Sequence, residues 1–222
     1  TPMTSSATDI LVLFPSASTT GASDASYFEG VVKKHIYSGP SVSFIFPVGK
    51  NGEYHPIIIS APTGGLTGHG SGNPSLYVQF SAEYFDISTP SSASTGPGVF
   101  VVHDCQYWTL QRNNTSTSNA QVSLTWNSNT CQPTYFTPPS DLRVAQYDGS
   151  LWQNRGVNSL GTYTYGQTLK EATGAPSSQF VGATATYFTF CHATPAPPMT
   201  ATISSSTNVT CNGGNDGTAT VT

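Results

Sequence analysis

The feature that most constrains this chain is apolar alternation with a period of two, repeated many times and broken by turn residues. A period of two places alternate side chains on opposite faces of a strand, so one face packs and the other meets solvent. In "SVSFIF" the spacing puts Val42, Phe44 and Phe46 on one face. "LYVQF" does the same for Leu76, Val78 and Phe80, and "QVSLTW" for Val122, Leu124 and Trp126. "ATATYFTFC" reads as another strand. "DLRVAQYDGSLW" reads as a strand, a turn at Asp148-Gly149 and a return strand carrying Trp152. "GKNGEY" (Gly49 to Tyr54) reads as a hairpin turn leading into "PIIIS". Pro47 has no N–H to give a ladder, so its strand ends, bulges or lies at an edge there. Only "YGQTLKEATG" (Tyr165 to Gly174) has a helical look, and it is short. Such strands, separated by Gly, Pro, Ser and Asn, predict an all-β sandwich of jelly-roll or immunoglobulin-like type.

The surface this implies is polar but weakly charged. Charged residues make up 8% of the 222 residues, against about a quarter in ordinary soluble domains. That balance suits secreted β-proteins. The formal net charge is −4, and the densest basic spot is Lys33-Lys34-His35, so nucleic-acid binding by phosphate neutralisation is not expected. No apolar run approaches the roughly 18 residues that span a bilayer, and no transmembrane segment is expected. The four cysteines, Cys105, Cys131, Cys191 and Cys211, lack metal-site spacing and point to two disulfides in an oxidising compartment. If "CQYWTLQR" and "QVSLTWNSNTC" pair as a hairpin around Asn113 to Asn119, Cys105 meets Cys131. Cys191 is then expected to join Cys211 and clamp the tail to the body.

"ATPAPPMT" (Ala193 to Thr200) is a stiff, extended linker. It divides a body, 1–194, from a tail, 199–222, with the proline-rich stretch 195–198 between them. In the tail, "TNVTC" and "TATVT" read as two strands around the turn "NGGNDG".

The run "TATISSSTNVTCNGGNDGTATVT" resembles the start of the SprB-type repeat of Bacteroidetes surface proteins. "ASYFEGVVKKH", "FIFPVGKNGEYHPIII", "CQYWTLQR", "VSLTWN", "LRVAQYDGSLW" and "FTF" occur in that order and resemble a β-sandwich module of large secreted Bacteroidetes proteins. The departure is at Gly30, which is followed by Val31-Val32 where the module has Pro-Val. The resemblance implies a slice of a longer polypeptide ending inside the next repeat, with residues 1–24 open to reading as the end of an upstream unit. It also implies type IX export, an extracellular or outer-membrane-associated location, and adhesive or gliding-motility roles. Neighbouring modules, or other copies of the chain, are the expected partners.

Candidate chemistry is sparse. His103-Asp104 sits among many serines without a Gly-x-Ser-x-Gly elbow. Glu83 and Asp86 are the best carboxylate pair, but three residues apart on a strand they face opposite ways. Asn215 and Asp216 in "NGGNDG" offer oxygen ligands for calcium without a complete loop pattern, and a plain turn is favoured. No catalytic constellation, cofactor or resident metal is expected, nor a lysine–asparagine isopeptide crosslink. Tyr107, Trp108, Tyr147 and Trp152 are candidate ligand aromatics, with Trp126 and Trp152 also suited to the core. The chain therefore reads as a non-enzymatic structural or adhesive module of a surface protein or filament. One alternative is a carbohydrate-binding module of a secreted enzyme. Another is a fibre subunit joined by β-strand addition, with the tail as donor.

Overall fold

The computed structural model describes residues 3–4, 10–36, 42–62, 78–90, 94–113, 119–126, 141–156, 170–173, 180, 184–193, 203–208 and 213–221. Every regular element among them is a strand. In chain order these are β1 (Met3–Thr4), β2 (Ile10–Leu13), β3 (Phe28–Glu29), β4 (Val31–Ile36), β5 (Ser43–Phe46), β6 (Gly49–Lys50), β7 (Glu53–Tyr54), β8 (Ile57–Ser60) and β9 (Val78–Phe85). They continue as β10 (Val101–Val102), β11 (Tyr107–Arg112), β12 (Gln121–Trp126), β13 (Leu142–Tyr147), β14 (Trp152–Asn154), β15 (Lys170–Thr173), β16 (Thr186–His192), β17 (Ile203–Thr207) and β18 (Thr218–Val221).

Two sheets make the body. The large one has the order β14-β13-β16-β11-β9-β4-β2, with β10 also on β16, and the small one β15-β12-β8-β5. Their inner faces share one core. The large sheet contributes Val32, Phe80, Trp108, Leu110, Val144, Phe188 and Phe190, and the small sheet Phe44, Phe46, Ile57, Ile59, Val122 and Leu124. These are the alternate residues of each strand, so the expected β-sandwich is present. Trp108 ties the layers together: its indole Nε1 donates to the His55 carbonyl at 2.7 Å, just ahead of β8.

Several local expectations hold. Phe44 and Phe46 are buried and Val42 packs beside them, while Ser43 and Ile45 face solvent. The strand stops at Phe46, before Pro47. Asn51 and Gly52 both have positive φ, 55° and 89°, the pairing that Asn-Gly favours in two-residue hairpins. β13 and β14 form the expected hairpin, with Tyr147 opposite Trp152 and Gly149 at φ 99°.

Other expectations are corrected. β11 and β12 do not form a hairpin: β11 lies between β9 and β16 in the large sheet, and β12 lies between β8 and β15 in the small one. Each strand carries a buried row of its own, and the two rows face each other across the core. Within the helix-like stretch, Lys170–Thr173 is strand β15 on the edge of β12. A free backbone edge there outweighs a short helical preference. Residues 10–13, within the stretch 1–24 left open above, pair parallel with β4 at the edge of the large sheet. In the tail "ISSST" forms β17 and pairs antiparallel with β18, while residues 209–211 of the expected strand "TNVTC" lie outside the described residues. Among the described residues the hairpin pairs with no body strand, so strand addition to its own body does not occur there. The linker 195–198 lies outside the described residues.

Candidate ligand-binding face

The outer face of the large sheet carries residues from the second half of each alternating set. On β9 these include Glu83 and Phe85, on β11 Tyr107 and Thr109, on β16 Tyr187, on β13 Tyr147 and on β14 Trp152. The registers bring the aromatic ones into line. Tyr107 stands opposite Phe85, Thr109 opposite Tyr187, Gln146 opposite Phe188, and Tyr147 opposite Trp152. A row of five rings therefore crosses five neighbouring strands. Phe85 and Tyr107 stack at 4.6 Å and 9°. Tyr107 meets Tyr187 edge-on at 5.8 Å, Tyr187 lies 6.2 Å from Tyr147, and Tyr147 lies 5.5 Å from Trp152. Cross-strand aromatic pairs of this kind each add about 0.5–1.5 kcal/mol beyond simple burial.

The row is covered at its Trp152 end. Around Trp152 a second small core forms from Val99, Ala145 and Cys191, with Val102, Tyr147 and Tyr187 packed against it. Segment 94–99 lies over it: Gly96 donates its N–H to the Trp152 carbonyl at 2.8 Å, and Asn154 Nδ2 donates to the Gly98 carbonyl at 2.7 Å. Beside it, a cleft of about 240 Å³ opens between Tyr147, Asp148, Gly149 and Thr184 to Tyr187. The Asp148 carboxylate is fixed by the turn. Its Oδ1 accepts from the N–H of Ser150 and of Leu151, at 2.9 and 2.8 Å, and its Oδ2 accepts from Gln153 Nε2 at 2.8 Å. These hydrogen bonds, led by that from Leu151, hold its pKa below the ordinary aspartate value.

The sequence candidates divide accordingly. Tyr107, Tyr147 and Trp152 belong to the row, with Tyr147 half-buried at the cleft and Tyr107 and Trp152 buried at 7% and 1% exposure. Trp108 does not: it faces the core, fully buried, one residue out of phase with Tyr107. Trp126 is core as well. Tyr187 and Phe85 were missed. Their alternation with Phe188 and Tyr84 was visible, but their place beside Tyr147 and Tyr107 depends on register between distant strands.

The titratable candidates are occupied structurally. His103 is buried and its ring stacks on His192 at 5.1 Å. Asp104 accepts from the Thr89 N–H and hydroxyl at 2.8 and 2.7 Å. Glu83 lies on the outer face of β9, and burial raises its pKa despite the nearby Lys50. Asp86 accepts instead from Asn51 Nδ2 at 2.9 Å. Asn215 and Asp216 are exposed in the segment between β17 and β18. Among the described residues, no three His, Cys, Asp or Glu side chains gather as a metal site.

The cysteines require a correction. Cys191 is a free thiol, buried on β16, so it does not bond Cys211. It sits opposite Arg143 and Val102 in the sheet and fills the small core around Trp152, where it acts as a compact apolar side chain. Burial pushes its pKa up to about 12. Cys105 is disulfide-bonded. Its expected partner Cys131 lies outside the described residues, as does Cys211.

No family model, curated protein or solved structure matches the chain. What the described residues present on this face is an uncharged row of rings on the large sheet, with an open cleft beside its covered end.

Proposed function

We propose that this chain is a non-catalytic adhesive module of a secreted, cell-surface protein, and that it makes contact through the outer face of its large sheet. The observation that supports this reading is the five-ring row from Phe85 to Trp152 with the open cleft at Tyr147 and Tyr187. A rigid face of this kind loses little conformational entropy on binding. The low charge of the whole chain suits contact with uncharged surface polymers. The candidate acid–base groups are held in turns and packed rings, which fits binding better than turnover. The hairpin β17–β18, paired with itself, fits a chain built from modules in series.

Beads coated with the protein are expected to adhere to polysaccharide-bearing surfaces, and antibody is expected to label the protein on intact, unpermeabilised cells. An exclusively intracellular location, or beads that adhere no better than albumin-coated ones, would overturn the reading.

A further inference from the structure

The cleft beside Tyr147 and Tyr187 selects among ligand classes. Its lining combines two half-buried tyrosine rings, 6.2 Å apart and inclined at 41°, with Asp148, Gly149, the exposed Thr184 and the buried Thr186. Among the described residues no lysine or arginine lines it, which leaves an anionic ligand without a lining counter-charge. A wholly apolar ligand would strip water from the charged Asp148 without replacing its hydrogen bonds.

The Asp148 carboxylate also argues against a cation. Three of its roughly four lone-pair positions are already taken by Ser150, Leu151 and Gln153. Arg155 lies close enough to favour its ionised form, so part of its charge is answered within the protein. What remains is one acceptor position on a fixed carboxylate, held beside aromatic surface. An apolar face combined with hydroxyl donors is what a pyranose ring offers: its C–H face packs on aromatic rings and its hydroxyls donate to the carboxylate. The volume of about 240 Å³ suits one such ring.

We infer that this cleft is a subsite for one uncharged pyranose unit of a polysaccharide, an assignment that rests on the adhesive role proposed above. Tyr147 and Tyr187 pack against the sugar, and Asp148 accepts a hydroxyl hydrogen bond. The polymer extends away from the covered Trp152 end.

Calorimetric titration of the whole chain with cellohexaose, laminarihexaose and mannohexaose tests this, with oligogalacturonate, oligoglucosamine and choline as charged comparators. At least one neutral hexasaccharide is expected to bind. Tyr187→Ala, which removes one wall, is expected to weaken it about tenfold. Thr184→Trp, a change at an exposed residue on the rim, is expected to block it without altering the melting temperature. Neutral binding indifferent to both variants overturns the assignment, as does binding of the charged comparators alone. If no hexasaccharide binds while wild-type beads still adhere, the cleft assignment falls and the adhesive role stands. If the beads do not adhere either, both fall.

Discussion

Lys34 donates its ammonium protons to the carbonyl of Phe14 at 2.6 Å, from a side chain that is 2% exposed and points inward from β4. The same Nζ reaches the carbonyls of Pro15, at 3.1 Å, and Ala17, and lies 4.8 Å from the centre of the Phe44 ring. One cation thus gathers the turn after β2 and fastens it to the mouth of the sandwich. Burial lowers its pKa, and the three carbonyl dipoles with the ring face stand in for lost water.

Lys34→Met keeps the length of the stem and removes the donors. Three carbonyls then lose the ammonium, the Phe14 carbonyl keeping its bond from the Ala17 N–H, so a loss of about 2–4 kcal/mol is expected. Denaturant unfolding checks it. A loss below 0.5 kcal/mol, on the order of an ordinary surface change, would show that the turn holds without the ammonium.

Gly49→Ala is expected to destabilise the hairpin of β6 and β7. An added Cβ would lie 2.2 Å from the Glu53 carbonyl oxygen and 2.8 Å from the Tyr27 ring. Backbone meets it on one side, so the strands must part, at a cost of about 1–3 kcal/mol. The lowered melting temperature should come with faster exchange of the Gly52 amide, which donates to Tyr27 Oη at 2.7 Å. Unchanged stability would refute the close approach.

Cys191 should resist alkylation in the native protein and react once the chain is unfolded. Its side chain is inaccessible, and with its pKa pushed up to about 12 little thiolate forms at neutral pH. Mass mapping after iodoacetamide treatment reads this directly. Modification of Cys191 at native conditions, or its recovery in a disulfide, would contradict the placement on β16.

Stability should fall as pH drops below about 6.5, the unfolded pKa of histidine. Burial holds the pKa of His35 and His192 below that value. Above it both rings are neutral whether folded or unfolded, and they add no pH dependence. Below it the unfolded chain takes up protons that the folded chain resists, so the equilibrium moves towards unfolding. His192→Gln should flatten the profile between pH 7 and pH 5. An identical slope in the variant would assign the acid sensitivity elsewhere.

What the residues declare locally is the class of fold and the inward side of most strands. The alternation around Phe44, Val122 and Phe188 already states which side chains pack, because a pleated strand allows only two faces. The turns at Asn51-Gly52 and Asp148-Gly149 are equally local: the positive φ of Asn51, Gly52 and Gly149 suits those residues wherever the chain runs. Lys34 resists such reading, since a lysine on an inward position looks like an error in the pattern until the carbonyls of residues 14–17 are brought over it. The tertiary structure alone decided which strands are neighbours. Tyr107 and Tyr187 are 80 positions apart in the numbering, yet they meet edge-on across β11 and β16. Cys191 shows the same limit: an even count of cysteines suggested a bridge, but the packing around Trp152 claimed its sulfur. The separation of β11 from β12, and with it the row and the cleft, follows from long-range pairing. A strand's free backbone edge is the same whatever partner takes it, so the choice is made by the core as a whole.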